Sequence, residues 1–388
     1  MYRFTGGGFG VLIVAALSSG GCKSTPSGTP DASKPLGFAA SNVDLTGIDL
    51  SKVGDFVVDN DACTIDTNSN LASCGDGANV LAFKIAKQSD GSKVAVYVAK
   101  SMNVLAGKNL TVTGSLPFVF IALGTIRISG TLNANSKADV AVAGGQEVTT
   151  QSSRGAGPGG GNTGTATAAP GGGSYCGAGG AGAVESGTPT SGSVAYGSPT
   201  IRPLVGGSSG GAGSGGAGSG GGAVQLVAGT SITIDATGLI QVGGGGGGFG
   251  GISGQQAGAG GSGGSLLLES TSINVAGALA ANGGGGGAGT AMDVGALPPL
   301  DPSGANSTPS STAAAGGKAG IGPSSGGDGS AAASVNGTAG SFTAGNSAGG
   351  GGGGAGRIRL NTKTGVATIS GTISPATSTP CATQGTVG

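Results

Sequence analysis

A short pattern, apolar-x-apolar-x-Gly-x-apolar, recurs five times in a chain otherwise saturated with glycine. The copies are Leu110-Thr111-Val112-Thr113-Gly114-Ser115-Leu116, Ile126 to Leu132 (IRISGTL), Ile232 to Leu239 (ITIDATGL, one residue longer), Ile273 to Leu279 (INVAGAL) and Thr368 to Ile373 (TISGTI), where Ala367 weakly fills the first slot. Alternating apolar residues turn one face of a short strand inward, and the glycine lets the backbone bend before the next inward residue arrives. Repetition of that unit predicts an all-β chain, a right-handed parallel β-helix (β-solenoid) interrupted by long Gly-rich insertions.

Of the 388 residues, 92 are Gly, only 3% are aromatic and 9% charged, and there is no His or Trp. Such a chain supports no single large core. Its Leu, Ile, Val and Phe concentrate in the repeats and in residues 80–123, so burial must be local and strip-like. Lys plus Arg equals Asp plus Glu, 17 against 17. No net field draws a phosphate backbone, no basic cluster is present, and nucleic acid is not an expected partner.

Residues 1–21 read as an export signal: Arg3 is the positive end, Val11 to Leu17 the apolar core, and Ser19-Gly20-Gly21 the small residues before Cys22. Cleavage there leaves Cys22 at the mature N-terminus, the arrangement of a bacterial lipoprotein, although Ser19 replaces the usual Leu and Leu17 lies two positions away. Cys22 is thus the expected lipidation site, with an ordinary cleavable signal as the competing reading. The apolar run is far short of the ~20 residues that span a bilayer. Residues 22–42, rich in Ser, Thr, Pro and Gly, read as a disordered tether. The remaining cysteines, Cys63, Cys74, Cys176 and Cys381, are even in number, as suits disulfides in an exported protein. Proximity pairs Cys63 with Cys74, and elimination pairs Cys176 with Cys381. Without a CxxC pair or a His, neither a zinc site nor any other metal or cofactor is expected.

Residues 43–92 are the least glycine-rich and read as a small β cap carrying the Cys63–Cys74 loop, of the kind that hides the open end of a repeat array. The solenoid then occupies 93–388, with inserts over about 136–222, 243–264 and 283–356. Ala223-Val224-Gln225-Leu226-Val227, Ser265-Leu266-Leu267-Leu268-Glu269 and Arg357-Ile358-Arg359-Leu360-Asn361 each follow a glycine run and precede a motif copy, so the inserts leave and re-enter at one corner. Two readings of the inserts stand. Gly207, Gly210, Gly213 and Gly216 are spaced by three, which suits extended threefold helices packed side by side. Floppy loop is the other, because glycine loses more backbone entropy on ordering than any other residue.

Three chemical signals are weak. Asp66-Thr67-Asn68-Ser69-Asn70 resembles the front of a calcium loop, but Leu71 replaces the required Gly and Gly77 the closing Glu. Phosphate-loop patterns abound only because glycine does. Acids are sparse in the repeats, chiefly Asp235 and Glu269, and sugar hydrolysis needs a carboxylate pair. No catalytic residue is assigned. Thr111, Thr113, Thr125 and Thr131 suggest an ice- or crystal-surface binder, without the regular repetition that requires.

Longer words carry a resemblance: Tyr196-Gly197, Pro203-Leu204-Val205-Gly206-Gly207-Ser208, Gly222 to Ala228, Gly264 to Glu269, Leu279 to Gly284 and Gly356 to Asn361. Across residues 94–361 the chain resembles the glycine-rich exported lipoproteins of myxobacteria; its repeats are more loosely similar to haemagglutinin-type adhesin coils, and its composition to mycobacterial glycine-rich surface proteins. The resemblance implies a non-enzymatic, structural or adhesive protein held at the outer membrane or cell surface through its N-terminal lipid, with extracellular polysaccharide or other surface proteins as partners. A carbohydrate-active β-helix enzyme, or a carbohydrate-binding surface protein, is the alternative.

Overall fold

The computed structural model describes residues 35–69, 72–74, 81–251, 256–289, 302–318, 324–344 and 347–388. Cys22, the export signal and most of the expected tether lie outside them. Among the described residues, eighteen strands form where apolar alternation is strongest. The first half of the chain gives β1 (Asp55–Val58), β2 (Cys63–Asp66), β3 (Ala72–Ser73), β4 (Ala82–Lys87), β5 (Lys93–Ala99), β6 (Ser101–Val104), β7 (Asn109–Thr113), β8 (Phe118–Ala122), β9 (Thr125–Ile128) and β10 (Thr131–Asn133). After a long glycine-rich stretch come β11 (Ala223–Ile234), β12 (Leu239–Gln241), β13 (Ser265–Val275), β14 (Ala278–Ala280), β15 (Arg357–Thr362), β16 (Thr368–Ile369), β17 (Thr372–Ser374) and β18 (Ala382–Thr386).

These strands build two sheets. An eleven-stranded sheet is open, running β1-β6-β9-β11-β13-β15-β18 with β4, β5, β8 and β16 off that path. A seven-stranded sheet runs β17-β14-β12-β10-β7-β2-β3. Most pairs are parallel, but β4 pairs β5 and β2 pairs β3 antiparallel, so both sheets are mixed. The predicted all-β, right-handed parallel β-helix is thereby corrected: the large sheet is open, and strands account for a minority of the residues. The physical reason lies in the inserts. β10 pairs β12 with Leu132 opposite Ile240, yet after β10 the chain makes an excursion through residues 134–222, packed against the later glycine inserts, before β11 begins.

Between the sheets lies one apolar core of inward residues in register. Leu110, Leu132, Ile240, Leu279 and Ile373 stack along the small sheet, opposite Ile128, Ile234 and Val275 of the large one. The motif glycines sit at the corners where successive turns of chain touch. A Cβ on Gly238 would lie 2.1 Å from the carbonyl oxygen of Ile128, and one on Gly371 would lie 1.9 Å from that of Gly277. Close backbone approach is what excludes a side chain there. A second apolar cluster covers the outer face of β5, β8 and the start of β11, where Leu36, Phe38 and Val43 pack on Val96, Ile121 and Val227. The end of the segment expected as tether is therefore a strap seated on the sheet.

Candidate functional site

The glycine inserts decide what surface this protein presents. Their described residues are ordered, and the segment 258–264 shows how. Its successive N–H groups donate to three different neighbours in rotation: Gly260 and Gly263 to Gly351 and Gly354, Gly261 and Gly264 to Gly245 and Val242, Ala259 and Ser262 to Gly211 and Ser208, at 2.7–3.1 Å. A period of three in an extended chain is the signature of a threefold helix whose hydrogen bonds all go to neighbouring chains. The same segment accepts from Gly284 and Gly287, from Gly218 and Gly221, and from Gly173. Six neighbouring segments therefore surround it.

Glycine is required by that packing. Cβ atoms built at Gly260, Gly261, Gly263 and Gly264 would lie 1.9–2.2 Å from the carbonyl oxygens of Gly284, Ser219, Ala281 and Gly222. The third position of each triplet, Ala259 and then Ser262, has room for a small side chain. Ser262 uses it, accepting from the N–H of Ser208 at 2.9 Å. The N–H groups of residues 259–264 are thus all paired without a strand ladder, which answers the requirement that buried amides be satisfied.

Among the turns of the inserts lies a cleft of about 410 Å³ lined by Gln151, Ser152, Thr165, Ala166, Ser214 and Gln256. Gln256 is held in place, its Nε2 donating to Ala166 O at 3.1 Å and Glu185 Oε1 at 2.8 Å while its Oε1 accepts from the N–H of Ala348.

Both carboxylates singled out in the sequence are engaged. Glu269 is 1% exposed; it accepts from the N–H and hydroxyl of Ser41, from Gln225 Nε2 at 2.7 Å and from Asn361 Nδ2 at 3.1 Å. It clamps the strap to three consecutive strands and has no open side for a substrate. Asp235 pairs with Arg127 Nε at 2.7 Å and accepts from Ser129, and those two bonds, the arginine's first, hold its carboxyl below the usual range. The two therefore do different structural jobs and form no acid/base pair. A third polar group, missed in the sequence, is the Tyr175–Tyr196–Arg357 cluster. The rings lie 4.7 Å apart with the guanidinium 5.8 Å from the Tyr175 centroid. Burial pushes the Tyr175 hydroxyl up to about 12 and lowers the arginine.

Both expected disulfides are present. Cys63–Cys74 closes a loop of separation 11 beside β2, and Cys176–Cys381, separation 205, ties the first glycine insert to the C-terminal strand. They place the chain in an oxidising, extracytoplasmic setting. No helix among the described residues is long and apolar enough to cross a membrane. Comparison with protein families, curated proteins and solved structures finds no match.

Proposed function

We propose that this is a non-enzymatic cell-surface protein, lipid-anchored at Cys22, in which the glycine layer is a stiff body that holds polar turns away from the anchor for structural or adhesive contact. The observation carrying this reading is the layer itself. A chain whose glycines are fixed by six-neighbour hydrogen bonding and by carbonyl contacts has rigidity without apolar surface, which suits an extracellular spacer and offers little to an enzyme. The engagement of Glu269 and Asp235 points the same way, as do the disulfides and the resemblance to exported myxobacterial lipoproteins. The strap fits an anchor too, since it delivers the N-terminal chain to the outer face of the large sheet, with Ala39 bonded to Gly388 at 3.3 Å.

Two measurements test it. Expressed with its own leader, the wild type should fractionate with membranes, be cut by protease added to intact cells and carry lipid on Cys22, and Cys22→Ala should be released. A wild type without lipid that remains inside protease-resistant cells would overturn the assignment. Hydrolysis of a polysaccharide that is lost on changing Asp235 or Glu269 would overturn its non-enzymatic part.

A further inference from the structure

We infer that the outward face of β1, β6, β9, the second half of β11, the second half of β13 and β16 is a binding track for a neutral extended polysaccharide lying across the strands. This rests on the surface-protein reading above and names its ligand class. A register shift between Ala228 and Ser231 divides β11, so that residues 224–228 pair β8 and residues 231–234 pair β9. The second half thus belongs to a six-strand ladder of its own. Its inward residues are buried: Phe56, Met102, Ile126, Ile232 and Ile273, then Val58, Val104, Ile128, Ile234 and Val275. Its outward residues form two rows in register. One is Asp55, Ser101, Thr125, Ser231 and Ser272; the other is Val57, Asn103, Arg127, Thr233, Asn274 and Thr368.

Three features point to a ligand. The polar groups are left open: among the described residues, the side chains of Thr125, Ser231, Thr233, Ser272, Asn274 and Thr368 make no hydrogen bond to protein. On the small sheet more of the donors are engaged, Asn109 Nδ2 with Thr111 at 3.1 Å and Asn135 Nδ2 with Gln241 at 2.9 Å, although Asn109 Oδ1 is buried without a partner. Next, the face carries no free cation among its described residues: Arg127 is paired with Asp235, and Asp55, which keeps its charge while accepting from Ser101 at 2.7 Å, stands on the terminal strand β1. An acidic chain therefore finds no cation to pair with, whereas an uncharged one meets only hydroxyl and amide groups along the middle of the track. Finally, hydroxyl and amide rungs repeat at the strand spacing of about 4.8 Å, close to the length of one sugar ring in an extended chain. The face has no aromatic ring and no apolar centre of the kind a protein partner needs, so affinity comes from many weak bonds acting together.

The test uses the intact mature chain and a double variant, Thr125→Val with Thr233→Val, which keeps shape and strand propensity while removing two rungs. A control, Thr64→Val with Thr111→Val, alters the small sheet's outer face. Retention on amorphous cellulose and on insoluble mixed-linkage glucan, both neutral, is compared with retention on polygalacturonate beads, with melting curves confirming that each variant folds. Retention on a neutral glucan that is insensitive to salt and falls at least tenfold in the first variant but not in the control supports the track. No retention on either glucan, retention equal in both variants, retention only on the acidic beads, or ice-growth inhibition lost in the first variant would each overturn it. None of those outcomes bears on membrane fractionation or protease shaving, so this proposal and the surface assignment fail separately.

Discussion

The carbonyl oxygen of Gly261 accepts the N–H of Gly284 at 2.9 Å and lies 1.9 Å from where a Cβ on Gly353 would stand. Three segments distant in sequence meet at that one oxygen. Gly353→Ala must therefore push chains apart rather than fill a void, at an overpacking cost of about 1–3 kcal/mol. The expected outcome is a melting temperature lowered by several degrees. Gly187→Ala is the matching control, because its φ of +93° adds strain but no atom lies within 4 Å of the new Cβ. Thermal unfolding of the two separates packing in the layer from backbone strain at an exposed turn.

Glu269 makes a second prediction. Glu269→Leu leaves Gln225 Nε2, Asn361 Nδ2 and the Ser41 N–H buried without their acceptor, a loss of about 1–3 kcal/mol for each group left unpaired. The strap should loosen first, since Ser41 is held to the sheet there while Leu36 and Phe38 hold it only by packing. Limited proteolysis should then cut within residues 36–45 of the variant while the strands resist. Glu269→Gln, which keeps an acceptor oxygen, should lie between the two.

The two disulfides should differ in worth. Loop-closure entropy gives about 2.8 kcal/mol for a separation of 11 and about 5.4 kcal/mol for one of 205. Replacing Cys176 and Cys381 by Ser should lower the denaturation midpoint more than replacing Cys63 and Cys74. Non-reducing peptide mapping of the wild type should recover the same two pairs.

Stability should be flat from about pH 5 to about pH 9, because the chain has no His and its displaced groups titrate outside that window. Asp61, Asp90 and Asp235 are all held below 3.8 by hydrogen bonds, from Lys108, Ser92 and Arg127 respectively. A depressed carboxyl contributes fully above its unfolded value and loses that contribution as pH falls through its folded one, so weakening begins below about pH 4. Burial raises Tyr97, Tyr175 and Tyr196 above 10.0. Their contribution is whole below 10.0 and is lost as pH climbs through the folded values. A denaturation series from acid to alkali should trace a plateau with two falling edges.

The strands were legible because their signal is local: alternation in Ile126-Arg127-Ile128 or Ile273-Asn274-Val275 states which side faces the core. Phase was harder. The first motif copy begins on Leu110, which pairs in register with Leu132, the last residue of the second copy. In the longer third copy the core residue is Ile240, one past the motif's end. How the strands close was not legible, because a parallel pair such as β10 and β12 is set by where an excursion of some ninety residues returns. The order of the glycine layer was visible only as spacing by three. Its stability comes from contacts between Gly261, Gly284 and Gly353, which no local window contains. The polar track was hidden for a related reason: Asn103, Arg127, Thr233 and Asn274 become a row only through register.

The core between the sheets gives the last prediction. Val275 and Ile128 are fully buried, aligned through Ile234 between them. An aspartate at either place would be an unpaired carboxylate in an apolar stack, at a cost of several kcal/mol whether it stays ionised or takes up a proton. Because each inward residue touches the strands on both sides, the damage should spread along the array, and protease resistance of the strand region should be lost in Val275→Asp and in Ile128→Asp alike. Thr233→Asp, one residue before Ile234 on the same ladder and pointing outward, should keep it. Resistance surviving in Val275→Asp would show that the residues placed between the sheets are not the core that holds them.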